Sequence, residues 1–135
     1  MNILIAGDFG ILHQGHLDHI IKAYYLGDWL IIVTHTDESI KARKKYEPIP
    51  LWGRIVMLRA IIKLLGGQGE VVLAPDKDGK CAEALRFHKP DIFAKGGEYN
   101  ESNLPKEELD ICDELGIQII YGVGERLAQS RELVR

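Results

Sequence analysis

The sequence predicts an α/β protein: a Rossmann-like, doubly wound single domain on a mainly five-stranded parallel sheet. Three observations lead there. Short apolar runs, rich in β-branched residues, alternate with longer segments whose apolar residues recur at helical spacing. Most of the runs are apolar at every position instead of every second one, the pattern of strands buried on both faces. Strands that alternate with helices form parallel sheets covered on both sides.

The first run, Asn2 to Ala6, ends in Gly7 and reads as the first strand. Leu17, Ile20, Ile21 and Tyr24 follow at helical spacing from a start near Gly15, with Gly27 as the expected stop. Trp29 to Thr34 is the second strand. The polar, basic stretch from Asp37 to Lys45 carries no apolar period and reads as a flexible loop, stiffened at its far end by Pro48 and Pro50. Leu51 to Leu65 is a helix with Arg54, Arg59 and Lys63 on its wetter side, stopped by Gly66 and Gly67. Glu70 to Ala74 is a third strand, Pro75 to Gly79 a turn, and Cys81 to His88 a short helix. Asp91 to Ala94 is a fourth strand, Lys106 to Leu115 a helix and Ile117 to Tyr121 a fifth strand, with a last helix expected from Leu127.

The 135 residues are enough for one domain, 1–135, with one substantial core. Hydrophobic residues at 46% and charged residues at 27% fit a globular chain and not a disordered one. A net charge of -3 gives no electrostatic case for nucleic acid or an anionic membrane, so any phosphate-binding groups must be local. Cys81 and Cys112 have no metal or redox spacing and read as small buried hydrophobes with reduced thiols. The first apolar run is too short and lacks the basic leader of a signal peptide, and no run nears the ~18 residues of a membrane span. The expectation is a cytoplasmic protein.

Parallel sheets of this kind bind ligands beyond the carboxyl ends of their strands, where strand order reverses. Four loops there carry chemistry: 7–16, 35–45, 95–99 and 122–130. In the first, Gly7, Gly10 and Gly15 let the backbone turn sharply and approach a ligand. The helix that begins near Gly15 directs free amides and the positive end of its dipole into the same loop, which suits an anion. His13 and His16, three residues apart across that helix start, can face the anion together. Two imidazoles beside a helix N-terminus suit a polyphosphate whose charge grows during reaction. Asp76-Lys77-Asp78-Gly79 lacks the other ligands of a calcium loop, and Gly122-Val123-Gly124 lacks the third glycine of a nucleotide loop, so both read as turns.

His13-Gln14-Gly15-His16 after a buried first strand resembles the HxGH signature of the cytidylyltransferase-like nucleotidyltransferases. Within that family the chain is similar to the glycerol-3-phosphate cytidylyltransferases and to the adenylyltransferase domain of ADP-heptose synthases. Leu26-Gly27-Asp28, Thr36-Asp37-Glu38, Arg54, and Pro90-Asp91 through Lys95-Gly96-Gly97-Glu98-Tyr99 extend the resemblance over nearly the whole chain. Two departures stand out. Relatives read G-T-F-D where this chain has Gly7-Asp8-Phe9-Gly10, and their Ser/Thr-rich last segment is represented here only by Ser130, with Arg126 nearby.

The resemblance implies transfer of AMP or CMP from a nucleoside triphosphate to a sugar or polyol phosphate, with release of pyrophosphate. Lys95 to Tyr99 leans towards adenylyl transfer. It also implies the roles. His13, His16, Lys45 and Arg54 are the expected catalytic residues. Asp8, Phe9, Gly15, Arg43, Lys95, Gly96, Gly97, Arg126 and Ser130 are the expected nucleotide-binding ones. Magnesium is expected to arrive with the triphosphate, and no side chains are expected to hold a metal directly. The partners implied are a nucleoside triphosphate, a phosphorylated small molecule and a second copy of the chain. Ile49, Leu51 and Trp52 are candidates for a dimer interface, and neither nucleic acid nor membrane is expected. The departures leave a second reading open, a catalytically silent nucleotide-binding or scaffold relative.

Overall fold

The computed structural model describes residues 1–76 and 78–124, in which one or two helices separate each strand from the next. Its elements are β1 (Asn2–Ala6), α1 (Gln14–Tyr24), β2 (Trp29–Thr34), α2 (Asp37–Lys44) and α3 (Leu51–Leu65). They continue with β3 (Gly69–Leu73), α4 (Ala82–His88), β4 (Ile92–Ala94), α5 (Lys106–Leu115) and β5 (Gln118–Ile120). The strands form one sheet in the order β3-β2-β1-β4-β5, every neighbouring pair parallel. The chain moves outward from β1 to β3 and then returns to the other side of β1, so the order reverses between β1 and β4.

The uniformly apolar strands are buried on both faces, and their alternation sorts the core into two layers. Ile3, Ile5, Leu30, Ile32 and Ile92 pack against Ile20 and Ala23 of α1 and Leu58 and Ile62 of α3. Leu4, Ile31, Val33 and Phe93 pack on the other side against Ala82 and Leu85 of α4 and Ile111 and Cys112 of α5. Cys81 and Cys112 are both buried free thiols. No helix among the described residues is long and apolar enough to cross a membrane.

Three local expectations are corrected. The stretch from Asp37 is a helix, not a flexible loop. Thr36 caps it by accepting from the amide of Ser39 at 3.1 Å, Asp37 and Glu38 occupy its first turn, and Lys41, Arg43 and Lys44 its last. That charge order complements the helix dipole, and one buried apolar residue, Ile40, anchors the segment without any apolar period. Gly27 does not cap α1, whose C-cap is Tyr25. A Cβ at Gly27 would lie 2.2 Å from Cδ1 of Ile3 and 2.6 Å from the carbonyl of Met1, so the residue serves close passage past β1. Arg54 is not on the wetter side of α3: it is 0% exposed. The helix expected from Leu127 lies outside the described residues.

Candidate active site

The loop after β1 is fastened before any ligand arrives. The amide of Gly7 donates to the carbonyl of Val33 at 3.0 Å, the hydroxyl of Thr34 to that of Asp8 at 2.9 Å, and the amide of Ile49 to that of Gly10 at 2.9 Å. The left-handed turn falls on Phe9, at φ 50°, whose ring is buried in the core. Gly7, Gly10 and Gly15 all avoid positive φ, so they supply space and not the turn expected of them. A Cβ at Gly15 would sit 2.9 Å from Cε1 of His13, and one at Gly10 would sit 2.0 Å from the hydroxyl of Tyr46.

That space lets the two histidines cap α1 reciprocally. His13 is the N-cap, its Nδ1 accepting from the amide of Gly15 at 3.0 Å, while Nδ1 of His16 accepts from the amide of His13 at 3.3 Å. The rings stack with centroids 3.9 Å apart. With both Nδ1 atoms accepting, the neutral imidazoles carry their proton on Nε2. Burial, then the charges of His13 and His19, pull His16 down to about 4, so it is neutral near pH 7. His19, one turn further on, has the opposite arrangement. Its Nδ1 lies 2.6 Å from the carbonyl of Val123 and must donate, which leaves Nε2 as an acceptor.

These rings line a cleft of about 630 Å³ over the carboxyl ends of the strands, where the order reverses. Asp8, Phe9, His13, His16, Arg43, Lys95 and Gly96 all line it, as the sequence predicts. Arg43 grips Asp8 with both terminal nitrogens, at 2.7 and 3.2 Å, and Nζ of Lys44 stands 3.5 Å from the same carboxylate. Burial alone would raise the Asp8 carboxyl; the hydrogen bond and charge of Arg43 outweigh it and hold the group below its usual range. Lys95, 7% exposed, stands with Nζ 4.0 Å from the Tyr99 ring centre and 4.9 Å from that of Phe93.

The remaining candidates lie elsewhere. Lys45 is the exposed C-cap of α2, at φ 61°. On a helix, residues 43 and 45 point in nearly opposite directions, so the cation beside Arg43 at the cleft is Lys44. Arg54 lies behind the cleft. Its Nη1 donates to Asp37 and to the carbonyl of Ile49, each at 2.6 Å, and its Nη2 donates to the carbonyl of His35. Gly15 supports the His13 ring from behind, Gly97 is exposed beside the cleft, and Arg126 and Ser130 lie outside the described residues.

The cleft also holds His19, His35, Tyr46, Lys80 and Glu108, which the sequence reading misses. His19 had a signal, a third histidine three residues after His16. Glu108, on α5, had none: it is buried, it accepts from the amide of Cys81 at 3.3 Å, and burial raises its carboxyl. Asp76 caps α4 through the amides of Glu83 and Ala84, so its stretch is structural. Among the described residues, no three His, Cys, Asp or Glu side chains are grouped to hold a metal, and Asp8 is committed to Arg43 and Lys44.

The profile of the cytidylyltransferase-like family matches residues 4–131. The chain belongs to that family. The chain is similar to the FAD synthase of Thermococcus kodakarensis, 40% identical over 116 residues, 81% of this chain and 71% of that protein. The D-beta-D-heptose 1-phosphate adenylyltransferase of Bordetella bronchiseptica is 33% identical over 107 residues, 79% of this chain and 64% of that protein. The chain spans between 20% and 64% of the length of the curated relatives it matches first. An Archaeoglobus fulgidus protein of unknown function shares the fold, with TM-score 0.69 at 22% identity over 98% of this chain and 97% of that one. The heptose adenylyltransferase is among the relatives that the motifs suggest; FAD synthases are not.

Proposed function

We propose that this chain is a nucleotidyltransferase that moves AMP, in preference to CMP, from a nucleoside triphosphate to a phosphorylated sugar or polyol. A phosphate oxygen of the acceptor bonds to the α-phosphorus, the bond from that phosphorus to the α–β bridging oxygen breaks, and pyrophosphate leaves with the electron pair. The observation that carries this reading is the His13–His16 pair. Two neutral imidazoles with Nε2–H as donor, stacked at the amino end of α1, suit negative charge that builds on the triphosphate. An acceptor phosphate is already anionic, so the reaction needs no strong base, and neither ring is arranged as one.

In this reading His13 and His16 stabilise the leaving phosphates, Arg43 and Lys44 neutralise the triphosphate, and Lys95 and Gly96 border the nucleoside. Arg54 acts through Asp37 and α2, without touching the substrate. Magnesium would come as part of the nucleotide and add charge neutralisation there, with Arg43 and Lys44 beside it; among the described residues no three His, Cys, Asp or Glu side chains are grouped to hold it. The preference for AMP rests on the Lys95 to Tyr99 stretch and on relatives named for FAD synthesis and adenylyl transfer. A homodimer is part of the proposal, with Trp52 and Val56 exposed on α3.

The test is pyrophosphate release with magnesium across ATP, CTP, GTP and UTP against glycerol 3-phosphate, hexose and heptose 1-phosphates, and FMN. One productive pair, abolished in His16→Ala, is the expected result. Tight nucleotide binding with no pyrophosphate from any pair favours the silent reading, for which Asp8, lodged in the Arg43 fork, is the motive.

A further inference from the structure

Three histidines follow one another at intervals of three residues, His13, His16 and His19, and all three line the cleft. The mechanism uses the first two and leaves His19 without a task. Its spacing from His16 keeps the two on one face of α1, about 4.5 Å apart along the helix axis. Their protons are placed in opposite ways. His16 accepts at Nδ1, so its Nε2 carries the hydrogen and donates. His19 has Nδ1 2.6 Å from the carbonyl of Val123, and a carbonyl only accepts, so the hydrogen is on Nδ1 and Nε2 accepts.

The loop after β5 fixes that arrangement. Besides the bond from Val123, a Cβ at Gly124 would lie 2.9 Å from the Cα of His19, so the loop passes directly against α1 at this residue. Burial lowers the imidazole below its ordinary value and keeps it neutral near pH 7, with the charges of Lys95, Glu98 and Asp18 around it. Nε2, on the edge away from Val123, has no hydrogen-bond partner among the described residues. It is not enclosed either, for the ring is half-buried and its free edge opens on the cleft.

A phosphate oxygen only accepts, so a fixed acceptor at position 19 repels the triphosphate that His13 and His16 attract. His19 marks the point where the phosphates end and a ligand group with a hydrogen to donate begins. The ribose is joined to the α-phosphate through one oxygen and a methylene, so its hydroxyls lie about one helical turn from that phosphate, as His19 does from His16. The polar edge of the base is a whole sugar further out. We propose that Nε2 of His19 accepts a hydrogen bond from a ribose hydroxyl of the nucleoside triphosphate and makes His19 a specificity residue for the nucleotide's sugar, a role that rests on the nucleotide reading of the cleft.

Calorimetric binding of the magnesium–nucleotide complex tests this without acceptor or turnover. The titrants are ATP, 2′-deoxy-ATP, 3′-deoxy-ATP and ITP, whose base has a carbonyl where ATP has an amino group; CTP, its two deoxy forms and UTP replace them if CTP binds more tightly. Wild-type protein should bind one deoxy analogue at least about fivefold more weakly than the parent nucleotide. His19→Asn keeps an amide that can donate to Val123 but has no atom at the Nε2 position. It should bind the parent nucleotide and that analogue within about twofold of each other. His19→Gln reaches the Nε2 position with a carbonyl oxygen and should regain part of the preference, which a merely structural role would not. Equal binding of both deoxy analogues by wild-type protein, a deoxy preference unchanged in His19→Asn, or loss of the discrimination against ITP or UTP in its place overturns the proposal, while the nucleotide site stands. No binding of any triphosphate overturns both. Should His19→Asn fail to fold, the 15N signal of the His19 Nε2 in labelled wild-type protein decides. A shift with the parent nucleotide that is absent with the deoxy analogue supports the contact, and an equal shift with both overturns it.

Discussion

Two arginine–aspartate pairs sit on either side of α2, and they differ in what surrounds them. Arg54 is 0% exposed and spends its terminal nitrogens on Asp37 and on the carbonyls of Ile49 and His35. It joins the start of α2, the chain before α3 and the end of β2 into one unit. Its Nε is buried as well and has no hydrogen-bond partner among the described residues. Arg43 makes a fork on Asp8 that resembles an arginine–phosphate contact, but its side chain is 27% exposed and faces the cleft. The same chemical pair thus serves two ends. Enclosed on every side it is architecture; open to a cleft it is, in the proposed function, the place where a ligand phosphate displaces a carboxylate.

The largest effect expected from this contrast is on stability. Arg54→Met should destabilise the fold by about 3 kcal/mol or more, because it leaves Asp37 and two carbonyls without their donor. Urea unfolding measures it, and a loss below about 1 kcal/mol would show that Arg54 is not a clamp. His16→Ala should lower turnover by two or more powers of ten, as the loss of one preorganised donor costs ~2.7–4 kcal/mol in the transition state. A stably folded, fully active variant would sink the proposed role. Arg43→Ala should destabilise the fold by less than Arg54→Met, since Lys44 remains beside Asp8, and raise the KM for the nucleotide about tenfold or more. Asp8→Asn should act the other way and tighten nucleotide binding several-fold by calorimetry, since the Arg43 fork no longer holds an internal anion.

The smallest effect is a pH dependence. The folded His16 has its pKa lowered to about 4, so the unfolded chain binds the proton first as pH falls. Stability from this group is full above its ordinary value of 6.5 and is lost between 6.5 and about 4. His35 and His19 are shifted in the same direction by burial and add to the slope. His16→Gln should flatten part of that slope in unfolding midpoints taken from pH 7 to pH 4; an unaltered slope would contradict the burial argument.

Much of the site was legible because its parts are local. A buried strand, a glycine loop and a helix start are adjacent in the chain, so His13 and His16 follow from spacing, and the family resemblance adds Asp8 and Phe9 from the same loop. Lys95 and Gly96 stand together at the end of an apolar run, and the resemblance gives them their expected role. Lys45 came from the resemblance; the capped, charge-ordered helix α2 puts Lys44 beside Arg43 at the cleft instead. Arg54 was read as wet because charge in a helix usually is; only three acceptors from three separate segments make its burial tolerable.

The amino-acid sequence by itself determined the alternation of buried strands and helices, the parallel sheet that follows, and the histidine pair at the first helix, since each depends on residues near one another in the chain. The tertiary structure decided which cations face the cleft, that the Tyr46 hydroxyl fills the space left open by Gly10, and that His35 and Glu108 stand in the cleft wall. Those are contacts between segments far apart in sequence, and their cost or gain exists only once the chain has closed around them.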